Sequence, residues 1–151
     1  AVDAARHHIY LENPYFSDPI LVKKLAAARA RGVDVRAVLT KRGDSRLMNE
    51  VTSLTANHLF RAGARVYLFP AMTHVKAMSV DGDFAYIGTG NFDALSLRNN
   101  REVALTVRGP GLIRQIDENL FLRDMAVSEE LRALLPRPRD GLLLGPTLQL
   151  Y

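Results

Sequence analysis

The sequence predicts an α/β fold: a mixed, mostly parallel sheet with helices on both faces. Three observations predict it. From residue 7 onward, short β-rich runs alternate with longer stretches of helical apolar period. The links between the early runs are short, which makes strand–helix–strand units and therefore parallel neighbours. Further along, two strand-like runs flank Asp81-Gly82-Asp83, a hairpin signal, so part of the sheet is antiparallel.

Each element has a local reason. His7-His8-Ile9-Tyr10-Leu11-Glu12 is the first strand, broken by Asn13-Pro14. Asp18 is an N-cap with Pro19 at the first helical position. Ile20, Leu21, Leu25 and Ala28 give that helix an apolar face, and Gly32 ends it after Arg29 and Arg31. Val33 to Leu39 is the second strand, and Lys41 to Ser45 a polar loop. Arg46 to Ala62 is helical, with Leu47, Val51, Leu54, Leu59 and Phe60 apolar and Gly63 as its stop. Arg65 to Phe69 is the third strand; His74 to Val80, Phe84 to Ile87 and Glu102 to Val107 are the remaining ones. Gly111 to Met125 is a helix, and Ser128-Glu129-Glu130 caps a shorter one ending near Leu135. Residues 1–135 read as one domain and 136–151 as a Pro/Gly-rich tail, in which Leu142-Leu143-Leu144 is a docking or pairing segment.

Composition narrows the function. The chain has 151 residues, 48% hydrophobic and 24% charged, which excludes disordered and collagenous classes. Cys is absent, which excludes zinc–thiolate sites, iron–sulfur clusters and a thiol nucleophile. No apolar run approaches the ~20 residues of a membrane span, and no signal peptide is visible. Ala1 stands at the start, and the N-terminus reads as an excision or processing boundary. Twenty Lys plus Arg against 16 Asp plus Glu give a charge of +4, which favours an anionic partner.

The chemistry lies between His74 and Glu102. His74 and Lys76 are two apart, so on a strand they share a face. An imidazole beside an ammonium suits a phosphate: lysine neutralises charge, and histidine attacks phosphorus or donates a proton. Thr89 and Asn91, set among Gly88 and Gly90, offer uncharged donors where an anion can approach the backbone. Glu102 is placed to accept from the second nitrogen of His74 and fix its tautomer. His58 reads as a helix-face residue.

Together, His74, Lys76, Asp81, Gly88, Thr89, Asn91 and Glu102 resemble the signature of the phospholipase D superfamily, H-x-K-x4-D-x6-G-[ST]-x-N with an acid eleven residues on. Asn13-Pro14-Tyr15-Phe16, Arg31 to Arg36, Gly63 to Tyr67 and Asn91 to Leu97 resemble its cardiolipin synthase branch. Leu95 stands where that branch commonly has Arg, and Thr89 where it often has Ser.

The resemblance implies a phospholipase D-like α/β/α sandwich. It implies catalytic roles for His74, Lys76, Asp81 and Glu102, and phosphate binding by Lys76, Thr89 and Asn91. Asp81, at the hairpin turn, reads more naturally as a structural residue that ties down backbone. The implied reaction needs no metal or other cofactor. One His forms a phosphohistidine, and a second His from a second motif protonates the leaving alcohol. This chain has one motif, so the resemblance implies a second half from the same parent polypeptide or from a homodimer.

Three function classes follow. The first is phosphodiester cleavage or phosphatidyl transfer on phospholipid. The second is a homodimeric nuclease, for which the sequence lacks an aromatic-plus-basic stripe. The third is an inert half that binds phosphate without turnover. A Rossmann-like binding domain is excluded, because no glycine loop follows the first strand. A bacterial cytoplasmic or peripheral inner-membrane location is expected, with any membrane contact made through an earlier segment or near Pro14-Tyr15-Phe16.

Overall fold

Three parallel strands form the middle of the sheet: β1 (His8–Asn13), β2 (Asp34–Thr40) and β3 (Arg65–Phe69). The computed structural model describes residues 1–136, so the predicted tail beyond Pro136, with Leu142-Leu143-Leu144, lies outside the described residues. Three further strands, β4 (Ala77–Val80), β5 (Phe84–Gly88) and β6 (Ala104–Arg108), extend the sheet beside β1 as an antiparallel meander. A two-residue strand, β7 (Glu129–Glu130), closes the other side, giving the order β6-β5-β4-β1-β2-β3-β7. The sheet is mixed, as the sequence predicts, but it is not mostly parallel. Two pairings are parallel and four antiparallel. The hairpin-linked half is as large as the βαβ half.

Helices α1 (Pro19–Ala30) and α2 (Arg46–Arg61) cover one face. Asp18 caps α1 by accepting from the Leu21 N–H at 2.7 Å, and Ser45 caps α2. Gly32 (φ 94°) and Gly63 (φ 84°) end them in the left-handed region, as the sequence predicts. Val22, Leu25 and Ala28 of α1 and Val51, Ala56 and Leu59 of α2 are buried. Ile20 and Leu47, assigned from the sequence to the apolar faces, are exposed. Both lie in the first turn of their helix, before it descends onto the sheet.

The other face carries one long helical run, α4 (Pro110–Ile116) and α5 (Arg123–Val127), joined by a π-helical stretch over Asp117–Leu122. Phe121 and Met125 pack on Val38, Tyr67 and Ala77 from this side. Helices on both faces leave the central strands no water-facing side.

The sequence also predicts a helix from Ser128 to Leu135, and this is corrected. The Ser128 hydroxyl donates backward to the Asp124 carbonyl at 2.6 Å, so it ends α5 instead of starting a new helix. Glu129 and Glu130 pair antiparallel with Leu68 and Tyr67, and the Leu131 N–H donates to Val66 O at 2.8 Å. Arg65 grips Glu130 with two bonds (2.8 and 3.2 Å), and Lys41 meets Glu129 at 2.5 Å. Two acids opposite two cations, and an uncovered β3 edge, outweigh helix propensity. A short helix absent from the sequence reading, α3 (Ala94–Arg98), is capped by Asp93, which accepts from the Ser96 N–H at 2.7 Å.

Candidate active site

β4 runs antiparallel to β1, with Ala77 opposite Glu12 and Val80 opposite Ile9. The residues just before β4 therefore lie beside the carboxyl end of β1, where open α/β sheets bind ligands. His74 and Lys76 are there. The strand does not reach them, in contrast to the predicted His74–Val80 span: regular pairing starts at Ala77. One further bond, Gly88 N–H to Lys76 O at 2.9 Å, fixes Lys76 against the end of β5. His74 is exposed, whereas Lys76 is 6% exposed.

Lys76 holds the two together. Its ammonium donates to the His74 carbonyl at 2.9 Å. Among the described residues it has no carboxylate within ion-pair distance. Burial pulls its pKa below the usual lysine value, and the nearby Glu102 carboxylate only partly offsets this. A buried ammonium without a counter-ion is unfavourable until an anion arrives.

The end of β5 and the loop after it supply the other predicted residues. The Thr89 hydroxyl donates to Glu102 at 2.5 Å and accepts from the Val103 N–H at 3.0 Å. It therefore steers Glu102 and is not a free donor. Glu102 lies in the loop before β6, not on the strand as the sequence predicts, and also faces the Asn100 amide at 3.4 Å. The expected bond from His74 to Glu102 is not formed; the His74 ring makes no hydrogen bond among the described residues. Asn91 is half-buried, and its Oδ1 is enclosed without a partner. Gly88 is required sterically: a Cβ there would stand 2.5 Å from the Tyr86 hydroxyl and 3.1 Å from Val103 O.

Asp81 is not among this group. It sits at the far end of β4, five residues from Lys76, or roughly 16 Å along an extended chain. Its carboxylate accepts from the backbone N–H groups of Arg6 (2.8 Å), His7 (2.8 Å) and His8 (2.9 Å). Burial alone would raise its pKa, but these three bonds outweigh burial and lower it. Asp81 also takes φ 55° and Gly82 φ 67°, the left-handed pair of a type I′ hairpin turn. It pins the start of β1 to the β4–β5 turn. These bonds place Asp81 among backbone groups at the turn, away from His74 and Lys76.

Several residues that shape the site escape the sequence motif. Asn13 Oδ1 accepts from the Tyr15 and Phe92 N–H groups, both at 3.2 Å, which docks the Asn91 loop on the end of β1. Ser17 and Asp18 N–H both donate to Phe92 O at 2.9 Å. Phe16 is fully buried and meets Phe92 edge-on at 5.8 Å, so it is a core residue and not a membrane contact. Tyr15 bonds Asp44. On the opposite face, Glu12 is fully buried and accepts from the Thr73 hydroxyl, one residue before His74. His58 lies on α2, as predicted. Among the described residues no cluster of three or more His, Asp or Glu side chains could hold a metal ion, and no helix is long and apolar enough to cross a membrane.

A family model described as the phospholipase D-like domain of cardiolipin synthase matches residues 1–125. The chain belongs to this family. Cardiolipin synthase A of Pseudomonas fluorescens is 36% identical over 132 residues, covering 86% of this chain but 27% of the relative. The chain thus spans about a quarter of the length of the curated relatives it matches. Nuc from Salmonella typhimurium, a phospholipase D family member, superposes with a TM-score of 0.77 at 25% identity, covering 88% of this chain and 87% of that one. NucT from Helicobacter pylori shares the fold, with a TM-score of 0.72 at 14% identity and 86% coverage of both chains. The family match runs from the N-terminus through β6 and into α5, stopping short of β7.

Proposed function

We propose that this domain is a catalytic half-site for phosphodiester cleavage or phosphatidyl transfer on phospholipids, with His74 as nucleophile. The observation that carries the reading is the buried, counter-ion-free Lys76 ammonium bonded to the backbone of an exposed His74. A phosphodiester supplies the missing anion and puts phosphorus within reach of the imidazole.

In this reading a His74 nitrogen attacks phosphorus, forming the N–P bond as the P–O bond to the leaving alcohol breaks. A second histidine, from a paired half, gives that alcohol its proton. Water or an acceptor alcohol then displaces His74 and gives up a proton to the same second histidine. Lys76 and Asn91 stabilise the charge on the non-bridging oxygens. Glu102 and Thr89 form the wall beside them.

The partner half is a further part of the proposal. β6 is an edge strand, and Val103 (76% exposed) and Leu105 (63% exposed) stand beside Glu102. A second phospholipase D-like half, from the parent polypeptide or a homodimer, would cover this apolar surface and bring the second histidine.

The test is turnover of phosphatidylglycerol vesicles and of plasmid DNA in EDTA, with phosphate titration followed by NMR. Lipid turnover abolished in His74→Ala, or phosphate shifts centred on Lys76 and Asn91 in an unpaired chain, supports the reading. Undiminished activity of His74→Ala, or phosphate shifts elsewhere, overturns it. Cleavage of DNA alone, with steep salt dependence, would favour the nuclease reading that the +4 charge permits.

A further inference from the structure

Glu12 is an anomaly in this fold. It lies near the end of the central strand β1, between Val38 of β2 and Ala77 of β4, and is 0% exposed. A carboxyl group buried this deeply needs partners or a proton. One oxygen accepts from the Thr73 hydroxyl, while the other, Oε2, has no donor. The Asp124 carboxylate of α5, itself 5% exposed and bonded to Arg123 Nε at 2.8 Å, acts on Glu12 as a neighbouring negative charge. Burial and this neighbouring charge both favour a proton on Glu12.

Thr73 connects this pair to the site. Its hydroxyl oxygen also accepts from the Val75 N–H at 3.2 Å, so a single side chain ties both flanks of His74 to Glu12. Val75 packs with Phe121 and Met125, Thr73 is buried against Glu12, and His74 between them is exposed. We propose that Glu12 is a positioning residue for His74, setting the imidazole through Thr73.

This inference rests on His74 as the reactive group, and it makes the placement of His74 sensitive to pH. The charged groups facing Glu12 are Asp124 and Arg123 of α5; the flanking strand residues Val38 and Ala77 carry none. Burial first, then Asp124, raises the Glu12 pKa to about 7, against the opposing pull of the Thr73 bond and Arg123. Below that pH Glu12 carries a proton and accepts from the Thr73 hydroxyl as a neutral carboxyl. Above it Glu12 ionises, which strengthens its acceptance from the Thr73 hydroxyl while setting it against the Asp124 charge, so the geometry at Thr73 changes across this range.

The experiment follows the Thr73 and Val75 amides of the full chain by NMR from pH 5.5 to 8.5. A His74→Asn background removes the imidazole's own titration. Both amides should shift with a midpoint near 7. The transition should vanish with Glu12→Gln added. Thr73→Val should abolish it at Val75, and Thr73→Ser should restore it. A flat titration in His74→Asn overturns the proposal, as does a transition that survives Glu12→Gln. If Glu12→Gln does not fold, Thr73→Val against Thr73→Ser decides the matter in the same way. None of these readouts needs turnover, so an inactive chain would count against His74 chemistry without touching the Glu12 result. In an active paired enzyme, Thr73→Val should lower kcat about tenfold with KM unchanged, and Thr73→Ser should restore it.

Discussion

The two ends of β4 carry residues of one sequence signature but treat their polar groups in opposite ways. At the turn end, Asp81 takes three backbone N–H bonds and its charge is fully used. At the other end, Lys76 is buried without a counter-ion, and among the described residues its ammonium meets only the His74 carbonyl. A saturated carboxylate holds the fold together. A buried ammonium without a counter-ion has charge left for an anionic ligand. Spacing within a motif therefore does not assign roles; the state of each polar group does. Unpartnered atoms do occur elsewhere, at Thr40 Oγ1 and Thr52 Oγ1, but without the exposed imidazole and buried cation found together here.

The comparison can be broken by substitution. The largest effect is expected on activity: His74→Ala should lower turnover by at least ~10³ in a paired enzyme, with an unchanged melting temperature because the ring is exposed. On stability, Asp81→Ala should cost about 2–4 kcal/mol, since it strips three charge-assisted bonds from a turn that also relies on a left-handed residue. Asp81→Asn, which tolerates that conformation and keeps one acceptor, should cost less. Denaturant unfolding checks both.

The pH dependence should also have opposite signs at the two sites. The Asp81 pKa is lowered from 3.8, so its contribution is present above that value and is lost as pH falls through the lower folded pKa. The Glu12 pKa is raised from 4.5 to about 7, so the folded state binds the extra proton. Stability should decline as pH rises from 4.5 to about 7 and then level off. Glu12→Gln should flatten that decline, which thermal melts at pH 5 and pH 8 would show. The smallest effect belongs to the β7 edge: Arg65→Ala should cost no more than ~1 kcal/mol, because that ion pair is solvent-facing.

Much of this was legible in the sequence. Asp18-Pro19, Gly32, Gly63 and Asp81-Gly82 mark boundaries through local chemistry, and each stands where its residue type requires. The motif residues His74, Lys76, Thr89, Asn91 and Glu102 gather at one end because β4, β5 and β6 are short hairpin partners. What was not legible depends on distant segments. Ser128-Glu129-Glu130 has the local form of a helix start, and only the exposed β3 edge, with Arg65 and Lys41 beside it, makes it a strand. Glu12 resembles a solvated strand-end charge until the final helix is laid over β1, bringing Asp124 from more than a hundred residues away. Thr89 looks like a phosphate donor, and only the position of Glu102 reveals that its proton is already committed.

The most direct measurement is the melting temperature of Lys76→Met beside the native chain, each with and without inorganic phosphate. If Lys76 is a buried cation waiting for an anion, Lys76→Met should melt at or above the native chain by up to ~1–2 kcal/mol of stability. Phosphate should then stabilise the native chain and leave the variant unmoved. A destabilised Lys76→Met that phosphate still protects would contradict the account, because Lys76 would then be structural like Asp81 and the anion would bind elsewhere.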